Sequence, residues 1–256
     1  MILQIEKIVT INDISTWFKY AEPEGGEAQW KEGRSAMEFA RYMVTPKGKM
    51  PKEIQSYLNK IGFGEEEYKC YPEKVTPFDY NEFGSGSGRH HDGLLVSKQH
   101  IVGIEAKVDE PFDEPIQKKI YKAKYNKDQG ENMKKRIVNS LKRIKPSFKE
   151  KDLDSVGHLM YQLISGSVGT IIEAQNNDII NAAFLIIEFE SDDNKEKDFE
   201  KITRNQEAYD AFLKFLNLSD KLDEERYIQF DEGGGKLWIK KIKIRIHKEA
   251  YKYSEI

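Results

Sequence analysis

Two short apolar runs separated by a polar corner dominate the pattern along the chain. Residues 93–97 and 100–106 are largely apolar, whereas Lys98 and Gln99 between them are polar. A two-residue polar corner between two apolar runs is typical of a β-hairpin. The pattern therefore predicts strands at 93–97 and 100–106, joined by a tight turn.

Apolar residues spaced three or four apart predict helices on either side of this hairpin. The first helix is short, ends at Tyr20 and is capped by Asn12 or Asp13. Ser35 to Glu38 have the spacing of a capping box that opens a second helix at 35–44. The remaining predicted helices are 51–61, 116–126, 131–145, 153–174 and 195–216.

Further stretches have the composition of strands. Residues 68–80 are rich in β-forming residues, but two prolines predict that this strand is interrupted or confined to an edge. Residues 179–189 are apolar on both faces, which predicts a central strand parallel to a neighbour. Residues 226–231 and 236–247 predict a C-terminal hairpin. Its second strand has an apolar face and a basic face, and the basic face either is solvated or contacts nucleic acid.

The order of these elements predicts an α/β (α+β) protein with a mixed central sheet. A helix, a strand, the hairpin, further helices and a central strand follow one another between residues 35 and 190. We expect residues 1–256 to form one domain. Extra helices precede the core, and residues 191–256 pack on it as a helix and a hairpin.

Acidic residues stand at the open end of the predicted hairpin. If Ser97 faces His100 across the turn, counting outward places Asp92 opposite Glu105 on one face of the sheet. Lys107 follows two residues later and returns to that face. Two carboxylates side by side destabilise a sheet unless a cation lies between them. Carboxylate oxygens suit Mg²⁺, so the pattern indicates a magnesium site or, alternatively, a structural ion pair with Lys107.

Asp92 followed by Glu-x-Lys on the adjoining strand resembles the PD-(D/E)XK nuclease superfamily, and the predicted order of elements resembles its αβββαβ core. The resemblance implies a restriction-endonuclease-like fold and a metal-dependent nuclease. It implies that Asp92, Glu105 and the backbone carbonyl of Ala106 bind Mg²⁺ or Mn²⁺, and that Lys107 assists the attacking water. The implied substrate is nucleic acid, and we expect it to be DNA.

Three other residues are candidates for the same site. Glu38 is either the capping residue of its helix or, as the resemblance implies, a first-helix acid that completes the metal site. Gln162 lies on the helix after the Glu-x-Lys strand, where related families place a glutamine that supports the site. His90 shares the predicted face of Asp92 and His91 does not, because adjacent strand residues point to opposite faces.

A basic block lies within a chain whose formal net charge is −3. Residues 118–151 contain 13 Lys or Arg and three acidic residues. Such a block is the electrostatic signature of phosphate contacts, although a solvated helix surface also carries charge. The candidate contacts to a nucleic-acid backbone are Lys134, Lys135, Arg136, Lys142 and Arg143.

The remaining composition argues against several classes of protein. The single cysteine, Cys70, excludes a disulfide framework and a cysteine-based zinc site. The first residues lack the pattern of a signal peptide, and the longest apolar run, 182–187, is too short to span a bilayer. We therefore expect a cytoplasmic protein without a membrane partner, and a homodimer by analogy with nucleases that cut two strands. The alternative function is a non-catalytic nucleic-acid-binding or defence-associated protein that keeps the nuclease fold.

Overall fold

The computed structural model describes residues 1–64, 66–84, 86, 88–125, 129–191, 196–231, 233–247 and 252–255. The strands in these ranges join into one mixed sheet, and helices pack against both of its faces. The strands are β1 (Ile2–Ile5), β2 (Glu67–Thr76), β3 (Arg89–Val96), β4 (His100–Lys107), β5 (Asn181–Ser191), β6 (Tyr227–Gln229), β7 (Lys236–His247) and β8 (Lys252–Glu255).

The helices account for most of the remaining described residues. They are α1 (Ile14–Tyr20), α2 (Ser35–Val44), α3 (Lys52–Lys60), α4 (Tyr80–Phe83), α5 (Ile116–Lys124), α6 (Gln129–Ile144), α7 (Tyr161–Asn176) and α8 (Glu196–Phe215). Short 3-10 turns occupy Gly26–Ala28, Glu150–Val156 and Asp223–Glu225. The protein is thus a mixed α/β fold, as its sequence predicts.

The strands follow the spatial order β1-β2-β3-β4-β5-β7-β6, and β8 pairs with the far end of β7. β5 lies between β4 and β7 and is parallel to both. Its apolar side chains from Ala182 to Ile187 are fully buried. The prediction of a central, parallel strand in this region is therefore confirmed.

Two apolar layers enclose the sheet. On one face α1, α2 and α3 supply side chains such as Phe39 and Leu58, which pack against Leu95 and Ile104 of the hairpin. On the other face α5 to α8 form the second layer, in which Leu163 belongs to the same buried cluster as the strand residues of that face. Glycines of α7 allow the close approach of strand residues on this face, because a Cβ atom on Gly166 would lie 2.4 Å from the ring of Phe184.

β2 corrects one half of its prediction, because the strand is not interrupted, and agrees with the other half at residues 71–76, which have a partner strand on one side only. It runs through Pro72 and lies between β1 and β3. The proline is tolerated since β1 pairs only as far as Cys70, so beyond that residue β2 has no partner strand on its β1 side. Lys7 covers this side instead, and its ammonium donates to the carbonyls of Pro72 and Glu73 at 2.7 and 2.8 Å.

The predicted helix at 153–174 is also wrong in its first part. A 3-10 turn ends at Val156, and α7 begins only at Tyr161. The backbone N–H groups of Ile116 and Gln117 donate to the carbonyls of Leu159 and Gly157, so this segment is bonded to the start of α5. These bonds replace the helical ones that the apolar pattern predicts.

At the termini the structure adds two strands and confirms one hairpin. β1 and β8 have no counterpart among the sequence predictions, whereas β6 and β7 form the predicted antiparallel pair. The predicted helix at 195–216 corresponds to α8, and residue 195 lies outside the described residues. The basic face of β7 is not simply solvated, because Lys241 is buried and its ammonium lies 2.9 Å from a carboxylate oxygen of Glu188.

Candidate functional site

The hairpin that carries the candidate acids has the predicted register. Gly93 of β3 pairs with Ile104 of β4, and one further step along both strands places Asp92 opposite Glu105. The ladder between β3 and β4 stops at the Gly93–Ile104 pair, so the strands separate at the two acids. Glycine at position 93 allows β3 to pack closely against Phe39, because a Cβ atom there would lie 2.8 Å from the ring of Phe39.

Asp92 spans the gap between the separating strands. Its Oδ2 accepts a hydrogen bond of 2.6 Å from the backbone N–H of Ala106. The side chain of Ala106 is buried in the layer of α1 to α3, on the other face of the sheet. Within the described part of the chain, Oδ1 of Asp92 has no hydrogen-bond partner. One carboxylate oxygen of Asp92 is thus fixed, and the other remains available to a ligand.

Glu105 is buried and binds two cationic side chains. Its Oε1 lies 2.6 Å from the ammonium of Lys107, and its Oε2 accepts a hydrogen bond from Nη2 of Arg89. Burial alone would raise the pKa of Glu105, but the charges of Arg89 and Lys107 outweigh it and hold the pKa below its usual value. Glu105 is therefore ionised at neutral pH.

Lys107 stays protonated although it is buried. Burial would lower the pKa of its ammonium, but the charges of Glu105 and Asp92 raise that pKa above the usual value. Lys107 therefore acts at this site as a hydrogen-bond donor and a positive charge. It cannot serve as a general base at neutral pH, because its amine is not free.

Glu73 is a candidate that the sequence analysis missed. The residues on either side of Glu73 pair with those on either side of Asp92, so the two acids stand opposite each other on β2 and β3. Glu73 has a backbone φ of 48°, in the left-handed region that few residues other than glycine adopt. No local sequence pattern signals this placement, because it arises from the pairing of β2 with β3.

Asp92 and Glu73, unlike Glu105, have raised pKa values. Burial, and after it the charge of Glu105, raise the pKa of Asp92 to about 7. Burial, and after it the charge of Asp92, raise the pKa of Glu73 to about 8. These values stay raised although the positive charges of Lys107 and Arg89 act against the shift of Asp92, and those of Lys7 and Arg89 act against the shift of Glu73. A further cation beside these acids would lower their pKa values, so cation binding and ionisation of the acids favour each other.

A cavity of about 670 Å³ opens where the strands separate. Glu73 and Arg89 line it together with Ser165 of α7. Of the residues that the sequence analysis selected, those that line it are His90, Asp92, Glu105, Lys107, Arg136 and Gln162. Those outside its lining are Glu38, Ala106, Lys134, Lys135, Lys142 and Arg143.

Glu38 is not the capping residue that its spacing predicts. α2 begins at Ser35 itself, without a side-chain cap. The carboxylate of Glu38 is buried, accepts a 2.8 Å hydrogen bond from the backbone N–H of Gly33 and pairs with Arg41 at 3.5 Å. The acid thus secures the loop before the helix, and the capping-box interpretation is wrong because Ser35 is already inside the helix.

The two adjacent histidines differ in their surroundings. His90 is exposed and lines the cavity. His91 is fully buried behind it, with Nε2 3.1 Å from the hydroxyl of Thr76. Burial, and after it the charge of Arg89, hold the pKa of His91 well below its ordinary value. His91 is a neutral structural residue at neutral pH.

Gln162 occupies the second position of α7 and faces the cavity. Its Oε1 is buried and has no hydrogen-bond partner among the residues that the structure describes. A buried amide oxygen without a partner is costly, so a ligand in the cavity that donates a hydrogen bond would stabilise it.

The five candidate basic residues of α6 differ in their exposure to solvent and in their contacts. Arg136 is 6 % exposed, lies over the ring of Phe78 and lines the cavity, whereas Lys142 is exposed to solvent. The other three bond within the chain. These contacts are Lys134 with the carboxylate of Glu150, Lys135 with the carbonyl of Asn81, and Arg143 with the amide oxygen of Gln175, each at 2.8 Å.

Among the described residues, the carboxylates of this cavity fit a magnesium site with one or two protein carboxylate ligands, but not a site with three or more. Over the described ranges, no group of three or more His, Cys, Asp or Glu side chains is arranged to hold a metal ion. Mg²⁺ commonly binds through one or two carboxylates, while water and phosphate complete its shell. Asp92 offers Oδ1 for such a site, and Glu105 offers oxygens that already bind Arg89 and Lys107.

Comparison with known proteins assigns the chain to a family. The family described as "Domain of unknown function (DUF6946)" matches residues 10–245. The chain belongs to the DUF6946 family. The matched region includes the hairpin, α7, β5 and every residue that lines the cavity. Neither a curated protein nor a solved structure matches the chain. Among the helices of the described residues, none is long and apolar enough to cross a membrane.

Proposed function

We propose that this DUF6946 protein is a metal-dependent phosphodiesterase that cleaves nucleic acid, with DNA as the expected substrate. The observation that carries the proposal is the convergence of Asp92, Glu105 and Lys107 on one cavity where β3 and β4 separate. Helices α2 and α3, strands β2 to β4, helices α5 to α7 and strand β5 follow one another along the chain, and β2 to β5 are neighbours in the sheet. This order supports a restriction-endonuclease-like αβββαβ core.

Asp92, Glu105 and the backbone carbonyl of Ala106 would hold Mg²⁺ or Mn²⁺. When bound there, the ion supplies a Lewis acid for the scissile phosphate and lowers the pKa of a water molecule. The unengaged Oδ1 of Asp92 supports this assignment, as does the proximity of Asp92 to Glu105, which contributes to the raised pKa of Asp92.

The chain's own groups have distinct tasks in hydrolysis. The oxygen of a water molecule bonds to phosphorus and that water gives up a proton, while the ester P–O bond breaks and the leaving oxygen takes up a proton, so the net change is the addition of one water molecule. Lys107 remains cationic, so its N–H groups orient that water or stabilise the negative charge on the phosphate oxygens. Arg136 lines the same cavity and supplies a guanidinium for a backbone phosphate, without reading a base.

A cleavage assay tests the proposal. Plasmid and single-stranded substrates are incubated with Mg²⁺ and with wild type, Asp92→Asn, Glu105→Gln or Lys107→Met. We expect each substitution to reduce cleavage by about 100-fold or more, because each removes a group that acts on the reacting phosphate. Lys98→Ala is the matched control, since Lys98 is exposed at the opposite end of the same hairpin. Equal cleavage by all five proteins would reject the site.

One observation favours a second candidate function. Both oxygens of Glu105 are engaged in ion pairs, as a purely structural glutamate would be. A non-catalytic nucleic-acid-binding protein that keeps the nuclease-like fold is compatible with this arrangement. Binding of nucleic acid by wild type without metal-dependent cleavage, under all substrates of the assay, would favour this second function.

A further inference from the structure

Arg89 stands at the junction between the site and the helix layer. It is the first residue of β3, is 7 % exposed and lines the cavity. Its aliphatic part packs against α7, where a Cβ atom on Gly169 would lie 2.7 Å from Cγ of Arg89. The guanidinium is therefore held beside the carboxylates by a tightly packed stem.

Arg89 has one acidic partner within the described residues, and that partner is Glu105. Its Nη2 donates to Oε2 of Glu105, while its Nε is buried and makes no hydrogen bond to any described group. A buried guanidinium with one carboxylate contact is incompletely satisfied. The aliphatic part of Arg89 is thus fixed by packing, and its guanidinium contacts a single carboxylate oxygen.

That same oxygen belongs to the proposed metal site. Oε1 of Glu105 binds Lys107, and Oε2 binds Arg89, so neither oxygen of Glu105 can take a cation without a change in an existing contact. Arg89 and a divalent cation carry charge of the same sign, and at this short range in a buried site they repel each other strongly. Occupation of Oε2 by one of them disfavours the other.

We infer that Arg89 is a positioning residue that competes with the divalent cation for Oε2 of Glu105. In this arrangement Arg89 compensates the buried charge of Glu105 when no cation is bound, and cation binding releases the guanidinium from Glu105 within the same cavity. The inference rests on the proposed metal site. It assigns to Arg89 a role that neither Asp92 nor Lys107 can perform, because neither supplies positive charge to Oε2.

Cation binding without any substrate tests this inference. Mn²⁺ is titrated into wild type, Arg89→Met and Arg89→Lys, and binding is followed by calorimetry and by the paramagnetic signal of free Mn²⁺. We expect Arg89→Met to bind Mn²⁺ about 10-fold or more tightly than wild type, because the competing charge is gone. Arg89→Lys restores a competing charge and should return the affinity towards that of wild type. An unchanged or weaker affinity in Arg89→Met overturns the inference.

Thermal unfolding gives a second readout. Arg89→Met leaves Glu105 with one cationic partner, so we expect a lower Tm than that of wild type in EDTA and a larger rise in Tm on addition of Mn²⁺. Arg226→Met is the matched control, because it also removes an arginine that pairs with a carboxylate, that of Asp223 at 2.8 Å, but Arg226 lies outside the cavity lining. If Arg89→Met does not fold in EDTA, Arg89→Gln takes its place, with the same expected direction in affinity and Tm.

The outcomes separate this inference from the proposed function. If Asp92→Asn abolishes Mn²⁺ binding while Arg89→Met binds as wild type does, the metal site stands and the competition is rejected. If neither wild type nor any Arg89 variant binds Mn²⁺, the metal site itself is rejected, and the inference fails with it.

Discussion

Neighbouring carboxyl groups of this site have pKa values that are shifted in opposite directions. Glu105 has two cationic partners and a lowered pKa, whereas the pKa values of Asp92 and Glu73 are raised to about 7 and about 8. In an acid whose pKa is raised by folding, the native state binds more protons than the unfolded state between the two pKa values. Stability therefore decreases as pH rises through that interval.

The first prediction concerns this pH dependence. The ordinary pKa values are 3.8 for Asp92 and 4.5 for Glu73, so their stabilising contribution is complete below about pH 4 and is lost as pH rises to about 8. We expect Asp92→Asn and Glu73→Gln each to be more stable than wild type at pH 8 by about 1–3 kcal/mol. Denaturant unfolding in EDTA at several pH values measures this. A wild-type advantage at pH 8 would contradict the assigned shifts.

The second prediction concerns the fit between α7 and β3. A Cβ atom on Gly169 would lie 2.7 Å from Cγ of Arg89 and 2.9 Å from Nε2 of His91. We expect Gly169→Ala to destabilise the protein by about 1–3 kcal/mol, because both neighbours are buried and cannot move freely. Asn176→Ala, at the exposed end of the same helix, is the control. Equal unfolding midpoints for the two variants would show that the packing is looser than the distances indicate.

The register of Asp92 and Glu105 could be predicted from the sequence, and Glu73 and Arg89 could not. A two-residue turn fixes the count along both strands, so residues of the hairpin align without knowledge of the rest of the chain. Glu73 reaches the site through pairing between strands far apart in sequence and through a left-handed backbone. Arg89 reaches Glu105 because β3 leaves β4, and no periodic pattern signals such a separation.

At the scale of whole elements, β7 is held to β5 by more than its apolar face. Glu188 is fully buried, and its partner Lys241 is 8 % exposed. Burial lowers the pKa of Lys241, although Glu188 opposes this shift. A buried carboxylate that loses its partner is strongly destabilising, whereas an apolar replacement of the whole pair is often tolerated.

The third prediction follows from that ion pair. We expect Lys241→Met to destabilise the protein by about 2–4 kcal/mol, because the buried carboxylate of Glu188 then keeps only the more distant ammonium of Lys243, at 4.0 Å, among the described residues. The double variant Lys241→Met with Glu188→Leu should recover most of this loss. Chemical unfolding of the single and double variants measures the difference. A double variant that is less stable than the single one would show that the pair contributes through hydrogen bonding that apolar side chains cannot replace.

Element types were more predictable than element ends. The apolar periodicity predicts α6, α8 and β5 close to their observed positions. One buried stripe is enough to specify each helix, and two buried faces are enough to specify the strand. The prediction of a helix at 153–174 is wrong in its first part, where backbone hydrogen bonds to α5 replace helical ones. Such bonds join segments about 40 residues apart, and a local pattern contains no information about them.

On the scale of the whole molecule, positive charge is concentrated in residues 118–151, which contain most of α5 and α6. Residues 118–151 carry 13 Lys or Arg in a chain whose net charge is −3, and the remainder is therefore acidic. Non-specific attraction of a nucleic acid to such a surface weakens with salt in proportion to the number of phosphates that the protein neutralises. This dependence is measurable even when no sequence preference exists.

The fourth prediction uses that dependence. We expect a triple charge reversal on exposed lysines of the block to weaken DNA binding and to reduce the slope of log K against log[salt] by about 0.7–0.9 for each phosphate that the variant no longer neutralises. The substituted residues are Lys142→Glu, Lys149→Glu and Lys151→Glu. Fluorescence anisotropy at several salt concentrations measures the slope.

A second triple variant controls for net charge. It changes three exposed lysines near α2 and α3 by the same amount, namely Lys31→Glu, Lys47→Glu and Lys52→Glu. If both triple variants bind DNA with equally reduced affinity, the effect comes from overall charge, and the basic block makes no specific interaction with the nucleic acid.

The interaction of Lys7 with Pro72 and Glu73 has a consequence for self-association. Beyond Cys70, the outer border of β2 would otherwise present backbone groups to which another chain could add a strand. The ammonium of Lys7 occupies the two carbonyls there, and its charge resists intrusion by a second backbone. We therefore expect addition of a strand from a second copy to be disfavoured along this part of β2.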